Sequence, residues 1–319
     1  MKYLVTGGAG FIGSHLAEVL IQSGHKVIIL DNLSTGNINN IENIIGNDNL
    51  EFINDSILNF NLVKNLIAQV DGVFHLAAAL GVKKILEKPL ESLQTNIHGS
   101  ENVIHAAASS QVKLFLASTS EVYGKNMNQP LSEDSDRVLG SPLLTRWAYS
   151  ECKAIDETLV QIYHDLSGLN FVIGRFFNTT GPRQSGAYGM VLPKFVTSAL
   201  LNEPLEVFGS GTQRRVFCHV EDAVNAIIKL FFNDQATCEV FNIGGEEEVS
   251  ISELAKKVIE ETNSKSKIRN IPYSEAYPNG FEDSMRRNPN TNKIRQYTDW
   301  APKFSLRDTI QDIVKFMKN

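Results

Sequence analysis

The chain has 319 residues, 42% hydrophobic and 21% charged, the make-up of a soluble globular protein with room for one or two domains. A net charge of -6 gives no electrostatic case for nucleic acid or an anionic membrane surface as a partner. Cys152, Cys218 and Cys238 are scattered and lack metal-ligand spacing, so free thiols in a reducing cytoplasm are expected, and no metal site.

Met1 leads almost at once into Tyr3-Leu4-Val5, so no secretory leader is expected, and no apolar run approaches a membrane span. LVTG (4–7) precedes a helical period at Leu16, Val19 and Leu20. KVIILD (26–31), LEFIND (50–55), GVFHLAA (72–78) and KLFLAST (113–119) follow as strand candidates, with helix-like segments between most of them. The Asn-rich stretch 37–49 reads as a solvated surface loop or a weak amphipathic helix. A long helical stretch, 147–167, leads into FVIGRFF (171–177). This alternation predicts an α/β fold, a Rossmann-type doubly wound parallel sheet covered on both faces. After residue 178 the rhythm breaks, with a loop at GPRQSGAYG (181–189) and a Gly/Pro-punctuated mix to 216. A helix at 220–233 and a strand at 239–243 look like a return to the first domain, and the tail from about 246 reads as helical and polar. The expected division is 1–177 plus about 217–245, and a smaller C-terminal α/β domain of about 178–216 plus 246–319.

Gly7, Gly10 and Gly13 form G-x-x-G-x-x-G, and Gly8, Gly10 and Gly13 also satisfy G-x-G-x-x-G. Between a strand and a helix, such a turn lets the backbone approach a pyrophosphate, which the helix N-terminus then meets with free N–H groups. Asp31 lies 18 residues beyond Gly13, where a carboxylate bonds ribose hydroxyls and repels a 2′-phosphate, so NAD is favoured over NADP. The bland alternative is a tight turn with a capping Asp. Tyr149 and Lys153 in WAYSECK share a helix face at i, i+4, and a lysine cation there favours phenolate over phenol. Alone the pair also suits a solvated helix face. ASTSEVYG (117–124) ends an apolar strand, where open α/β sheets bind ligands, and sets Ser118, Thr119, Ser120 and Glu121 at the cleft or, alternatively, at a strand-end cap. His75 in VFHLAA suits a hydrogen-bonded core histidine better than a catalyst.

With TGGAGFIGSH, Asp31-Asn32-Leu33-Ser34, HLAA (75–78), STSEVYG, YSECK, RFFNTTGPR (175–183) and VFGSGTQRRVFCHVEDAV (207–224), the chain resembles the extended short-chain dehydrogenases/reductases that act on nucleotide sugars. The resemblance implies NAD held by Gly7, Gly10, Phe11, Ile12, Gly13, Asp31, Asn32 and Ser34, with Asp55 and Ser56 towards the adenine. Leu76, Ala77, Ala78, Thr95 and Ser118 would run along the cofactor. It implies Tyr149 as base, Lys153 on the nicotinamide ribose, Thr119 on the reacting hydroxyl, and Ser120 and Glu121 beside them. Asn178, Arg215 and Arg287 would meet the sugar nucleotide; read without the resemblance, Arg214-Arg215 and Arg286-Arg287 suit solvated surface charge.

Thr119-Ser120-Glu121 is similar to UDP-glucuronate decarboxylases, as are Arg146-Trp147-x-Tyr149-Ser150 and GFEDSMRR (280–287). The implied reaction oxidises C4 of a UDP-sugar transiently; a 4-keto glucuronate is a β-keto acid and loses CO2. Those decarboxylases carry a tyrosine-containing loop after HLAA; here GVKKILEKP (81–89) stands instead, and Lys83 or Lys84 would take the carboxylate. G-V-K also resembles 4-epimerases, the alternative reading. A 4,6-dehydratase and a non-catalytic NAD-binding sensor are the further possibilities. The resemblance also implies a homodimer joined by a four-helix bundle of segments 89–109 and 147–167, whose apolar positions include Ile155, Leu159 and Ile162.

Overall fold

The computed structural model describes residues 1–79, 89–186, 190–276, 282 and 284–318. Its first half alternates as expected: β1 (Lys2–Thr6), α1 (Phe11–Gln22), β2 (Lys26–Leu30), β3 (Leu50–Ile53), α2 (Phe60–Ile67) and β4 (Gly72–His75). Then come α3 (Pro89–Gln94), a π-helical turn (Thr95–Gly99), α4 (Ser100–Ser110), β5 (Lys113–Thr119), α5 (Ala148–Ser167) and β6 (Phe171–Phe177). Four short strands follow, β7 (Thr179–Thr180), β8 (Leu205–Phe208), β9 (Arg214–Val216) and β10 (Cys218–His219), before β11 (Glu239–Gly244). Helices α6 (Val191–Leu200) and α7 (Val220–Phe231) lie among them.

The main sheet runs β11-β6-β5-β4-β1-β2-β3, and every pairing is parallel. Its strands are continuous apolar runs because both faces are covered. Alternate residues feed opposite cores: Tyr3, Val5, Ile29 and Phe115 on one side, Leu4, Ile28, Leu114 and Leu116 on the other. The order turns back between β1 and β4, which opens a crevice at their C-terminal ends.

The tail differs from the helical reading. It carries β12 (Glu248–Ser250), β13 (Ile268–Ile271) and β14 (Arg286–Arg287) as well as helices α8 (Ile251–Thr262) and α9 (Leu306–Lys318). These strands pair with distant partners, β12 and β14 flanking β9 and β13 lying on β8. A third core of Leu192, Phe195, Val207, Leu254, Val258 and Ile310 packs α6, α8 and α9 together. Most of the Asn-rich stretch is exposed, as expected, but Ile38–Ile41 is a 3-10 turn with Ile41 fully buried. Its Asn37 N–H and Asn40 side-chain amide both donate to the Ala9 carbonyl, at 3.0 and 2.9 Å.

A half-buried cation ties the strand ends together. Arg175 of β6 donates from Nη2 to Glu157 at 2.6 Å, and from Nη1 to the Tyr123 hydroxyl at 2.8 Å and the Glu133 carbonyl at 2.7 Å. Tyr123 in turn donates to Asn242 of β11 at 2.7 Å. Replacing Arg175 by Met leaves the Glu157 carboxylate without its cation, so stability should fall by about 3 kcal/mol or more, read from urea unfolding.

Candidate active site

The crevice holds a cavity of about 750 Å³. One wall is the glycine turn after β1. Gly7 has φ +71°, and a Cβ there would stand 2.8 Å from the Ala77 Cα, so the turn lies directly against the chain leaving β4. A Cβ on Gly13 would come within 2.2 Å of the Gly7 carbonyl oxygen, which lets α1 start hard against the turn. The first turn of α1 has no side-chain cap and no acidic residue, leaving its N–H groups for an anion. Asp31 lines the cavity beyond β2; its carboxylate accepts from Ala9 N at 3.0 Å and Leu33 N at 2.8 Å. Burial raises its pKa, and those two bonds oppose the rise.

The cavity is lined by the expected cofactor residues with a single exception. Ser56 does not line it; its hydroxyl accepts from Leu58 N at 3.2 Å in a local turn. Lys83 and Lys84 lie outside the described residues. The expected catalytic and sugar-nucleotide residues Thr119, Ser120, Glu121, Tyr149, Lys153, Asn178, Arg215 and Arg287 converge on the same cavity. Ser118 also lines it, but its hydroxyl is committed to Glu157. His75 is a satisfied core histidine, bonded to Thr6 at 2.7 Å and Ser100 at 3.1 Å.

Tyr149 and Lys153 sit one turn apart on α5. Burial pushes the Tyr149 phenol up to about 12 although Lys153 pulls it down, so the net shift is opposite to the one expected from the lysine alone. Glu121 and Asp156 add to the rise. Burial disfavours the Lys153 ammonium too, but Asp156, 3.0 Å from Nζ, together with Tyr149 and Cys152 outweighs this and holds its pKa above the ordinary value.

The arginine pairs are not uniformly solvated. β9 and β14 lie in register with Arg214 opposite Arg286 and Arg215 opposite Arg287. Arg214 and Arg286 turn outward and share Glu248, at 3.3 and 2.6 Å. Arg215 and Arg287 turn inward, only 5% and 8% exposed, and line the cavity. Glu121 stands between Arg287, which meets one carboxylate oxygen, and Arg146, whose Nη1 donates to the other at 2.6 Å. Burial alone would raise the Glu121 pKa, but the two guanidiniums overcome it and hold the carboxyl well below the usual range.

The geometry coincides with one family. Residues 4–313 match the family described as GDP-mannose 4,6 dehydratase. The chain belongs to this family. It is 44% identical over 315 residues to a UDP-N-acetyl-alpha-D-glucosaminuronate decarboxylase of Bacillus cytotoxicus, covering 97% of each chain. It is 35% identical to UDP-glucuronic acid decarboxylase 1 of Danio rerio, over 99% of this chain and 72% of that one. Among solved structures, the UDP-glucuronic acid 4-epimerase of Bacillus cereus, in complex with UDP-glucuronic acid and NAD, superposes with a TM-score of 0.90 at 28% identity. It covers 100% of this chain and 99% of that one. The UDP-glucose 4-epimerase of Thermotoga maritima, solved with UDP-glucose, gives 0.89 at 30% identity, with 100% and 99% covered.

In this member of the GDP-mannose 4,6-dehydratase family, two lining arginines carry no role in the sequence reading. Arg146 is one; its place three residues ahead of Tyr149, at the entry to α5, was the available signal. Arg183 is the other; it lies in the GPR turn with φ +70° and reaches back to Glu18 of α1 at 2.7 Å. At the far end Phe208 and Gln213, from the 207–224 stretch, line the cavity with Tyr273, which lies too far on in sequence to be grouped with them by spacing.

The folded pKa of Glu121 is depressed, so its contribution to stability is present above the unfolded value and is lost as pH falls through the folded one. Glu121→Gln should therefore cost about 3 kcal/mol at neutral pH, because two guanidiniums lose a buried counter-charge they share. The gap to wild type should close only well below the ordinary carboxylate range, as followed by thermal unfolding at stepped pH.

Proposed function

We propose that the protein is an NAD-dependent decarboxylase of a UDP-linked uronate, with UDP-N-acetylglucosaminuronate as the first candidate substrate and UDP-glucuronate as the second. The observation that carries this reading is the full-length identity of 44% to a decarboxylase of the first sugar, joined to a site in which Arg146, Arg215 and Arg287 line the same cavity as Tyr149 and Lys153. The glycine cradle, the uncapped start of α1 and Asp31 fit a dinucleotide, and Tyr149 and Lys153 lie where its nicotinamide end would rest. NAD bound there supplies a reversible hydride acceptor, so that a sugar C4 hydroxyl can become a ketone and be restored.

The chain's own residues then divide the work. Tyr149, as its phenolate, accepts the C4 hydroxyl proton, and its raised pKa makes that phenolate the stronger base. Lys153 keeps its charge and supports the phenolate. Thr119 holds the reacting hydroxyl, with Ser120 and the Glu121 clamp beside it. Arg215, Arg287 and Asn178 meet the diphosphate and sugar. A ketone at C4 is β to the C5 carboxylate, so CO2 leaves and C5 takes a proton. The division of labour follows two parts, 1–177 plus about 217–245 for the cofactor and about 178–216 plus 246–319 for the sugar nucleotide.

The likeness to 4-epimerases of solved structure, one of them with UDP-glucuronic acid bound, favours 4-epimerisation as the second reading. No described helix is long and apolar enough to cross a membrane. We place the protein in the cytoplasm on its three unbridged cysteines. We further propose a homodimer through α3, α4 and α5. Ile155, Ile162 and Leu166 are exposed along α5 and Leu90 on α3, whereas Leu159 packs inward.

Incubation with NAD and each uronate, followed by NMR, should yield a UDP-pentose sugar with a C5 methylene, faster from the N-acetylated substrate. A C4 epimer that keeps its carboxylate would favour the second reading instead. Tyr149→Phe should lower turnover at least about 100-fold while NAD still binds.

A further inference from the structure

Behind Lys153 lies a row of polar side chains with no exposure to solvent. Thr6, His75, Ser100 and Asp156 are each 0% exposed, and Lys153 is 2% exposed. They come from four elements, β1, β4, α4 and α5, that meet beneath the crevice. Such a row is costly to bury unless its donors and acceptors match, so the matching can be worked out link by link.

Lys153 has donors only, and Nζ donates to Asp156 Oδ2 at 3.0 Å. Burial raises the Asp156 pKa, and Lys153 and the Ser100 hydroxyl both oppose the rise; the second carboxylate oxygen, Oδ1, has no hydrogen-bond partner among the described residues. With its proton turned to Asp156, the Ser100 oxygen is left to accept from His75 Nε2, 3.1 Å away. His75 Nδ1 is then bare and accepts from the Thr6 hydroxyl at 2.7 Å. The Thr6 oxygen accepts from Ala77 N at 3.3 Å. One tautomer of a neutral His75 satisfies the links from Ser100 to Ala77. Burial, with the Lys153 cation added, lowers the His75 pKa well below its ordinary value, which keeps it neutral. The last link, Ala77, is the residue against which Gly7 packs.

We propose that Asp156, steadied through Ser100, His75 and Thr6, is a positioning residue for the Lys153 ammonium, and that this buried row couples the lysine to the cofactor cradle. The proposal rests on the assignment of Tyr149 and Lys153 above. Asp156 sets where the ammonium points and how much of its field is left for Tyr149. The charged and titratable groups facing Tyr149 are Lys153, Glu121, Asp156 and Cys152. Those facing Asp156 are Lys153 and Glu157, and Lys153 faces His75. Because Asp156 raises the Tyr149 pKa, its removal frees the lysine field for the phenol.

Asp156→Asn tests this by two readouts. NAD affinity by calorimetry should weaken about tenfold, as a misdirected lysine loses a charge-assisted hydrogen bond. The acid limb of the kcat profile should move to lower pH by about one unit. Ser100→Ala breaks the row without stranding a charge and should weaken NAD about threefold, with Ser100→Thr restoring it; this variant stands in if Asp156→Asn fails to fold. A folded Asp156→Asn protein with NAD affinity within twofold of wild type and an unmoved acid limb overturns the proposal, and so does a Ser100→Ala protein indistinguishable from wild type in both. The NAD measurement needs no turnover. Loss of the catalytic assignment, seen as an active Tyr149→Phe, is therefore distinguishable from loss of the coupling.

Discussion

The turn at Gly7 and the chain leaving β4 touch backbone to backbone, and the rest of the site is hung from that contact. Gly7 N donates to the Leu30 carbonyl at 2.9 Å, so the turn also grips the end of β2. A side chain at Gly7 or Gly13 would push the turn off Ala77 or α1 off the turn. The Ala9 carbonyl is fixed by two Asn37–Asn40 bonds and the Ala9 N–H by Asp31, so the short turn is braced from the side that faces away from β4. A parallel sheet that reverses its strand order leaves its crevice at this place, and the close approach keeps the crevice floor made of backbone.

Two charge clusters border that floor. Around Glu121, two guanidiniums meet one carboxylate on the wall of a cavity suited to a diphosphate and a uronate. Behind Lys153, a single ammonium is balanced by a single carboxylate in a region closed to water. The guanidiniums line the cavity, where a ligand can reach them; the Lys153–Asp156 pair lies on the dry side, where an unpaired ion would cost several kcal/mol.

The sheet was legible because parallel strands covered on both faces must be apolar throughout, and 113–119 and 171–177 match β5 and β6 residue for residue. The glycine turn, Tyr149 and Lys153 were legible because their spacing is local. The strands of the tail were not, since two to four residues cannot show a period and their partners lie far off in sequence. The fate of the arginines was half legible: adjacent residues of a strand face opposite ways, so each pair had to split, but which member turns inward depends on the pairing of β9 with β14. The Tyr149 shift needed the burial of the whole site, which no i, i+4 spacing reports.

The Glu121 clamp bears on which reaction follows oxidation. Expelling a sugar hydroxyl calls for an acid that can give a proton near neutrality. Glu121, held ionised by Arg146 and Arg287, has none to give. Loss of CO2 from a β-keto acid makes no such demand: the electron pair left at C5 is delocalised into the C4 carbonyl, and a positive surround suffices to stabilise it. A carboxylate that spends its charge on orienting two guanidiniums is therefore of little use to a dehydratase. For a decarboxylase it is no handicap, because loss of CO2 asks no proton of Glu121.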